Sequence, residues 1–226
     1  MRKIQRLAGI GVMAAATLAL AACGGTAAPA SSPAAGAPAA APATAAPAAT
    51  DTGVTTNADV FGPACSQLPQ GDAPGSLNNM GPQPVATAAS TNPLLTTLVT
   101  AVKAVPGLPD TLNNTQGITV FAPYNGAFDA VQKQIGAPAF QGLLKDTNKL
   151  GGLLSYHVVG QRYDAKGLVA AGETTELAGG NLTIGGTADA PTITDGQGNT
   201  AKVLCGNIPT SNATVFVIDR VLMPKS

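Results

Sequence analysis

The chain has 226 residues, of which 45% are hydrophobic and only 11% charged, against a usual charged share of about 25%. That length accommodates one ordinary domain plus extended tails. The formal charge is zero, Trp is absent and aromatics make up 4%, so neither the basic footprint nor the stacking surface that nucleic acid requires is present.

Arg2, Lys3 and Arg6 form a positive opening, and an apolar run follows from Leu7 to Leu20, interrupted only by Thr17. The run is shorter than the roughly 20 residues of a membrane span and fits the apolar region of a signal peptide. It ends in Leu20-Ala21-Ala22-Cys23, which resembles a bacterial lipobox. Residues 1–22 are therefore expected to be a signal peptide and Cys23 the site of lipid attachment. The anchor would hold the protein on the outer face of the cell membrane, since buried acyl chains contribute about 0.8 kcal/mol per methylene. With the leader removed, nine basic side chains face twelve acidic ones, a net charge of −3.

From Gly24 to about residue 58 the chain is almost entirely Ala, Pro, Thr, Ser and Gly. Pro29, Pro33, Pro38, Pro42 and Pro47 forbid a continuous helix, and nothing large and apolar is available to bury. Residues 23–58 are read as a lipidated cysteine and disordered tether, extended at about 3.1 Å per residue. Thr44, Thr50, Thr52, Thr55 and Thr56 are candidate O-glycosylation positions, the alternative being an unmodified linker. Cleavage within the linker would shed part of the protein.

Residues 59–226 are expected to form one domain. Asn92-Pro93 reads as an N-cap and first helical position, with Leu94, Leu95, Leu98, Val99 and Val102 at helical spacing until Pro106. Ile118 to Ala122 reads as a strand halted by Pro123. Asn125 is placed as the cap of a second helix bearing Phe128, Val131 and Ile135. Further helical stretches cover Phe140–Asp146, Asn148–Tyr156 and Asp164–Ala171, the last closed by Gly172. Beyond Gly172 the texture changes to short β-prone runs at Thr174–Leu177, Leu182–Ile184, Thr192–Thr194, Ala201–Leu204 and Val215–Leu222. Gly-Gly, Gly-Asn and Asp-Gly turn signals separate them. Helices first and meandering strands second make an α+β fold, with N-terminal helices packed on a short-stranded β-sheet or β-sandwich.

Once Cys23 is set aside, Cys65 and Cys205 remain. An oxidising extracytoplasmic space favours a disulfide between them, the alternative being two buried free thiols. No CxxC pair exists. One histidine is too few for the usual catalytic zinc set, and the HExxH, GxSxG and glycine-rich nucleotide-binding motifs are all missing, so the inventory speaks against an enzyme and calls for no cofactor or metal.

Three blocks carry a family resemblance. Ile118-Thr-Val-Phe-Ala-Pro-Tyr-Asn-Gly-Ala-Phe128 resembles the first signature of fasciclin domains, T-V-F-A-P-T-N-x-A-F. Tyr156-His157, flanked by Leu153-Leu154 and Val158-Val159, is similar to the central tyrosine–histidine motif. Ala213-Thr-Val-Phe-Val-Ile-Asp-Arg-Val-Leu222 is similar to the closing strand. The blocks span Thr91 to Pro224, and the cysteine positions resemble those of actinobacterial secreted and lipid-anchored fasciclin antigens. Tyr124 departs from the pattern, which usually has Thr there. The resemblance implies a cell-adhesion or interaction module whose partner is an extracellular protein or glycan, with Tyr156 and His157 as candidate contact residues. The alternative for His157 is a buried imidazole satisfied by its own fold. A carrier of a lipid or other small hydrophobic ligand is the competing function, and it requires a closed apolar pocket of a few hundred Å³.

Overall fold

A computed structural model describes residues 53–225. Cys23 and the expected signal peptide lie outside the described residues, as does the tether up to residue 52. Seven strands form a mixed sheet in the order β2-β1-β7-β6-β5-β4-β3. They are β1 Ile118–Pro123, β2 Val158–Val159, β3 Glu173–Thr175, β4 Asn181–Thr187, β5 Ala190–Thr194, β6 Thr200–Pro209 and β7 Ala213–Ile218. Only β1 and β7 run parallel, in register from Ile118 opposite Ala213 to Pro123 opposite Ile218. The fold is thus α+β and belongs to one domain.

The sheet nearly closes on itself. Val159 pairs with Glu176 in an antiparallel bridge, and Leu177 N–H donates to the Val158 carbonyl at 2.8 Å, joining the end of β3 to edge strand β2. Closure matters because an unpaired edge offers backbone groups to any passing strand. The barrel interior holds one core: Phe121, Tyr156, Leu168, Leu182, Ile193, Phe216 and Ile218. Phe121 and Phe216 meet there with ring centroids 6.0 Å apart.

A second core lies on the other side of β1 and β7. Ile118, Val120, Ala122, Val215 and Val217 face the helices α2 Val85–Thr91, α3 Thr96–Ala104, α4 Leu108–Asn114, α5 Asn125–Ile135, α6 Ala137–Lys145 and α7 Thr147–Ser155. A short helix α1, Leu77–Met80, precedes these, and α8, Ala165–Ala171, follows β2. Every residue of β1 and β7 is buried because a core presses on each face. The last strand ends at Ile218 rather than Leu222.

Asparagines hold several helices from a distance. Asn212 Oδ1 accepts from Val85 N–H at 2.9 Å at the start of α2, and its amide donates to the carbonyls of Leu112 (2.7 Å) and Thr115 (2.6 Å) at the end of α4. Asn113 Oδ1 accepts from Ala86 N–H at 2.9 Å. Asn207, forced to φ 57° in the bulged part of β6, accepts from Ala165 N–H at 2.8 Å and donates to the Asp59 carbonyl at 3.1 Å. Asn125 was expected to cap its own helix. It sits instead at the first position of α5 and caps α3, accepting from Thr97 N–H at 3.0 Å and donating to the Pro93 carbonyl at 3.0 Å. The expected Asn92 cap is present, with its Oδ1 accepting from Leu94 N–H at 3.0 Å.

The N-terminal segment is clasped to β6. Phe61 bridges Gly206, where a β-carbon would collide with the Phe61 ring, and Cys65 is bonded to Cys205 with an S–S distance of 2.00 Å. Residues 53–58, assigned by composition to the tether, already pack on the domain: Thr214 Oγ1 donates to the Gly53 carbonyl at 2.7 Å, and Thr55 is buried. Burial removes Thr55 from the glycosylation candidates. Thr56 is engaged in a capping box with Asp59.

Candidate functional site

Tyr156 and His157 sit where α7 ends and β2 begins, and both are inside the protein, 2% and 3% exposed. A direct contact between these side chains and a partner is therefore corrected: no face of either ring reaches the surface. Burial follows from their neighbours, since Tyr156 falls into the barrel core while His157 bridges the two cores.

The imidazole is fully satisfied. Nδ1 lies 2.7 Å from the Leu153 carbonyl and Nε2 accepts the Leu222 N–H at 2.9 Å. Those partners assign the proton to Nδ1, because a backbone N–H requires an acceptor at Nε2. Burial disfavours the charged ring and pushes its pKa down to about 4, against the weaker upward pull of the Leu153 carbonyl and the Asp195 charge. His157 is thus a neutral clamp between α7 and the C-terminal segment.

Tyr156 does the same for the β5–β6 turn. Its hydroxyl accepts from Gly196 N–H at 2.7 Å, and burial, with the charges of Asp195 and Glu176, raises its pKa. The buried Asp195 carboxylate completes the hub. Oδ1 accepts from Gln197 N–H (3.0 Å) and Asn199 N–H (2.8 Å), and Oδ2 accepts from Met223 N–H at 2.9 Å. Glu176, also buried, accepts from the backbone N–H groups of Ala178 and Gly180 and so shapes the turn after the barrel-closing bridge. Sequence showed Asp195 only as half of an Asp-Gly turn; its reach to Met223 has no local signature.

The hub positions the rim of a surface cleft of about 520 Å³. One wall is α5 with its leading Tyr124, contributing Ala127, Val131, Gln134 and Ile135. The other is the β5–β6 turn with Gln197 and Asn199, and the floor and far end are Asp219, Arg220, Val221 and Met223. Asp219 Oδ1 accepts from Lys202 N–H at 2.8 Å, while Gln134 and Arg220 have no hydrogen-bond or ion-pair partner among the described residues. Tyr124 packs against Gly126, where a β-carbon would strike its ring. It makes no side-chain hydrogen bond to the helix it precedes, so the usual Thr hydroxyl has no counterpart there.

By contrast, the apolar pocket beside His157 is small. A cavity of about 40 Å³ lies between Val85, Leu98, Leu112, Val120, Leu154 and His157, room for little more than a water molecule. No group of three or more His, Cys, Asp or Glu side chains is placed to hold a metal among the described residues. No helix among them is long and apolar enough to cross a membrane on its own.

Comparison with known proteins agrees with this architecture. The family model of the fasciclin domain matches residues 93–224. Cell surface glycolipoprotein MPB83 of Mycobacterium bovis is 41% identical over 175 residues, covering 74% of this chain and 73% of its own. Immunogenic protein MPB70 of the same species is 38% identical over 177 residues, covering 74% and 83%. Among solved structures, a domain pair from the insect cell adhesion molecule fasciclin I superposes with a TM-score of 0.54 at 18% identity. That match covers 62% of this chain and about half (51%) of the insect one, and it speaks to the fold alone.

Proposed function

The chain belongs to the fasciclin-domain family, and from that premise we propose that it is a cell-surface recognition module, held by a lipid on Cys23 and displayed on the tether that follows. The recognition is directed at an extracellular protein or glycan. Several observations support a surface site over an internal one. A bridge joins the sheet's edge strand β2 to the end of β3, the tyrosine–histidine pair is consumed by internal hydrogen bonds, and the apolar pocket of about 40 Å³ beside His157 falls well short of the roughly 300 Å³ at which ligand pockets begin. The last observation carries the choice between recognition and carriage of a lipid. The similarity to mycobacterial surface glycolipoproteins supports display outside the cell.

Two experiments test this reading. Replacing Cys23 by Ala should move the protein from the membrane fraction to the medium or leave it as unprocessed precursor; unchanged fractionation with a cleaved leader rules out the anchor. Beads coated with the full mature chain should bind cell-wall or extracellular-matrix preparations saturably. Absence of saturable binding, together with a lipid extracted from the purified protein in one-to-one amount, would instead establish a carrier.

A further inference from the structure

We propose that the cleft between α5, the β5–β6 turn and the C-terminal segment binds an uncharged oligosaccharide, with Tyr124 as the stacking platform that sets its selectivity. The inference rests on the surface-recognition reading and names its ligand class.

The chemistry of the walls suits a sugar. A pyranose ring offers an apolar C–H face and a rim of neighbouring hydroxyls, each both donor and acceptor. It is bound by an aromatic ring for the face and by planar polar side chains for the rim. The cleft supplies both. Tyr124 is a half-buried aromatic wall, held against Gly126. Around it stand two side-chain amides from different elements, Gln134 on α5 and Gln197 on the turn, the latter steadied by its Nε2 donating to the Pro224 carbonyl at 3.2 Å. With them are the guanidinium of Arg220 and the Asp219 carboxylate, whose Oδ1 accepts from Lys202 N–H and whose Oδ2 has no partner among the described residues. Amides and forked groups bridge adjacent hydroxyls with paired donors and acceptors.

Other occupants fit less well. Asp219 and Arg220 balance each other, and the chain as a whole is sparsely charged, so the cleft has no field to draw an anion or cation. An extended peptide adds a strand at a free sheet edge, and here the Val159–Glu176 bridge covers the outer side of β2. A lipid needs a large apolar volume, and the apolar pocket beside His157 among the described residues offers only about 40 Å³. The cleft, at about 520 Å³, has room for a short sugar chain.

Tyr124 is also the position where this chain leaves its family pattern, and Gly126 is the pattern's variable residue. The two are coupled, because any side chain at 126 would push the ring away. Selectivity is therefore built into a pair of residues at the head of α5, where Tyr124 caps the helix through its backbone carbonyl while its ring lines the cleft.

The test uses the full mature protein in detergent, screened on an array of neutral linear oligosaccharides with uronic-acid and sulfated oligosaccharides as comparison. The strongest neutral binder is then titrated into nitrogen-15-labelled protein. The proposal expects backbone shifts confined to the segments around 124, 134, 197–199 and 219–223. Tyr124→Ala should weaken binding by about tenfold or more, and Gly126→Ala should weaken it too, while Tyr124→Phe keeps most of the affinity because the ring face is retained. Thermal melting confirms that each variant is folded. Preference for the acidic oligosaccharides, shifts elsewhere on the surface, or full binding by Tyr124→Ala would overturn the site. If no oligosaccharide binds but a protein partner is found that protects these same segments, the sugar class falls and the surface-recognition reading stands.

Discussion

His157 makes the stability of this domain depend on pH between about 4 and 6.5. The ring is neutral in the fold, with a pKa near 4, and returns to about 6.5 when the chain unfolds. The unfolded state therefore takes up a proton as pH falls below 6.5, while the folded state resists until about pH 4. The contribution is complete above pH 6.5 and is lost on acidification. A difference of this size is worth about 3 kcal/mol at its limit, and linkage gives about 2 kcal/mol lost between pH 8 and pH 5. Asp59 and Asp146, whose pKa values are lowered by hydrogen bonds from Thr56 and from Lys149 N–H, lose their contributions only around and below pH 3.8. Because the chain has a single histidine, the effect is attributable to one residue. Urea midpoints measured at half-unit intervals from pH 8 to 5 should fall steadily below pH 6.5. The melting temperature should drop by about 4–8 °C over that range. His157→Gln, whatever its stability at pH 8, should show a flat profile between pH 6.5 and 5. A flat wild-type profile, or an equal slope in the variant, would refute the assignment of a buried neutral clamp.

Other substitutions probe the polar scaffold. Asn212→Ala removes one acceptor and one amide donor at a buried junction of α2, α4 and the β6–β7 turn, and should cost about 2–4 kcal/mol by urea denaturation. Asn125→Ala should cost about 1 kcal/mol through the lost cap on α3, with hydrogen exchange accelerating at Thr97 rather than within α5. Reduction of the Cys65–Cys205 bond opens a loop of 140 residues in sequence separation and should destabilise the domain by at most about 5 kcal/mol, read as a lower urea midpoint with thiol-blocked protein.

Where local chemistry decides a feature, the sequence displays it. Asn92 caps with its own side chain, Asp164 accepts from Gly167 N–H at 2.7 Å, and Gly172 closes α8 at φ 66°. The strand at Ile118 announced itself through a β-rich run ended by proline. What sequence missed is held by distant partners. Helix α2, a run of Val, Ala, Thr and Ser behind a proline, has no cap of its own; Asn212 and Asn113 cap it from 127 and 27 residues away. Helix α4 opens on Gly107, φ 77°, with Pro109 and Asp110 in its first turn, but its end is held by Asn212 from about 100 residues away and carries no local signal. Strand β6 runs on through Cys205 to Pro209 because bulges bend it between the two halves of the sheet, and the barrel closure depends on a single bridge.

The candidate site follows the same division. The tyrosine–histidine pair stood out in the sequence, yet its side chains face inward and serve the cleft by holding the 195–199 turn and the 219–223 segment in place. The cleft itself draws on residues from 124 to 223; Val131, Ile135, Asp219 and Arg220 were named from sequence as parts of a helix face and of the closing block, and Tyr124 as a departure from the family pattern, but nothing local brings them together.

The most direct test of outward recognition is saturable adhesion of beads carrying the mature chain to cell-wall and extracellular-matrix preparations, compared with a Gln134→Ala/Arg220→Ala double variant and a Lys166→Ala control outside the cleft. Recognition through the cleft predicts saturable binding that the double variant loses by about tenfold or more and the control keeps. Equal binding by all three proteins, or none beside a lipid that co-purifies with the chain, would contradict it.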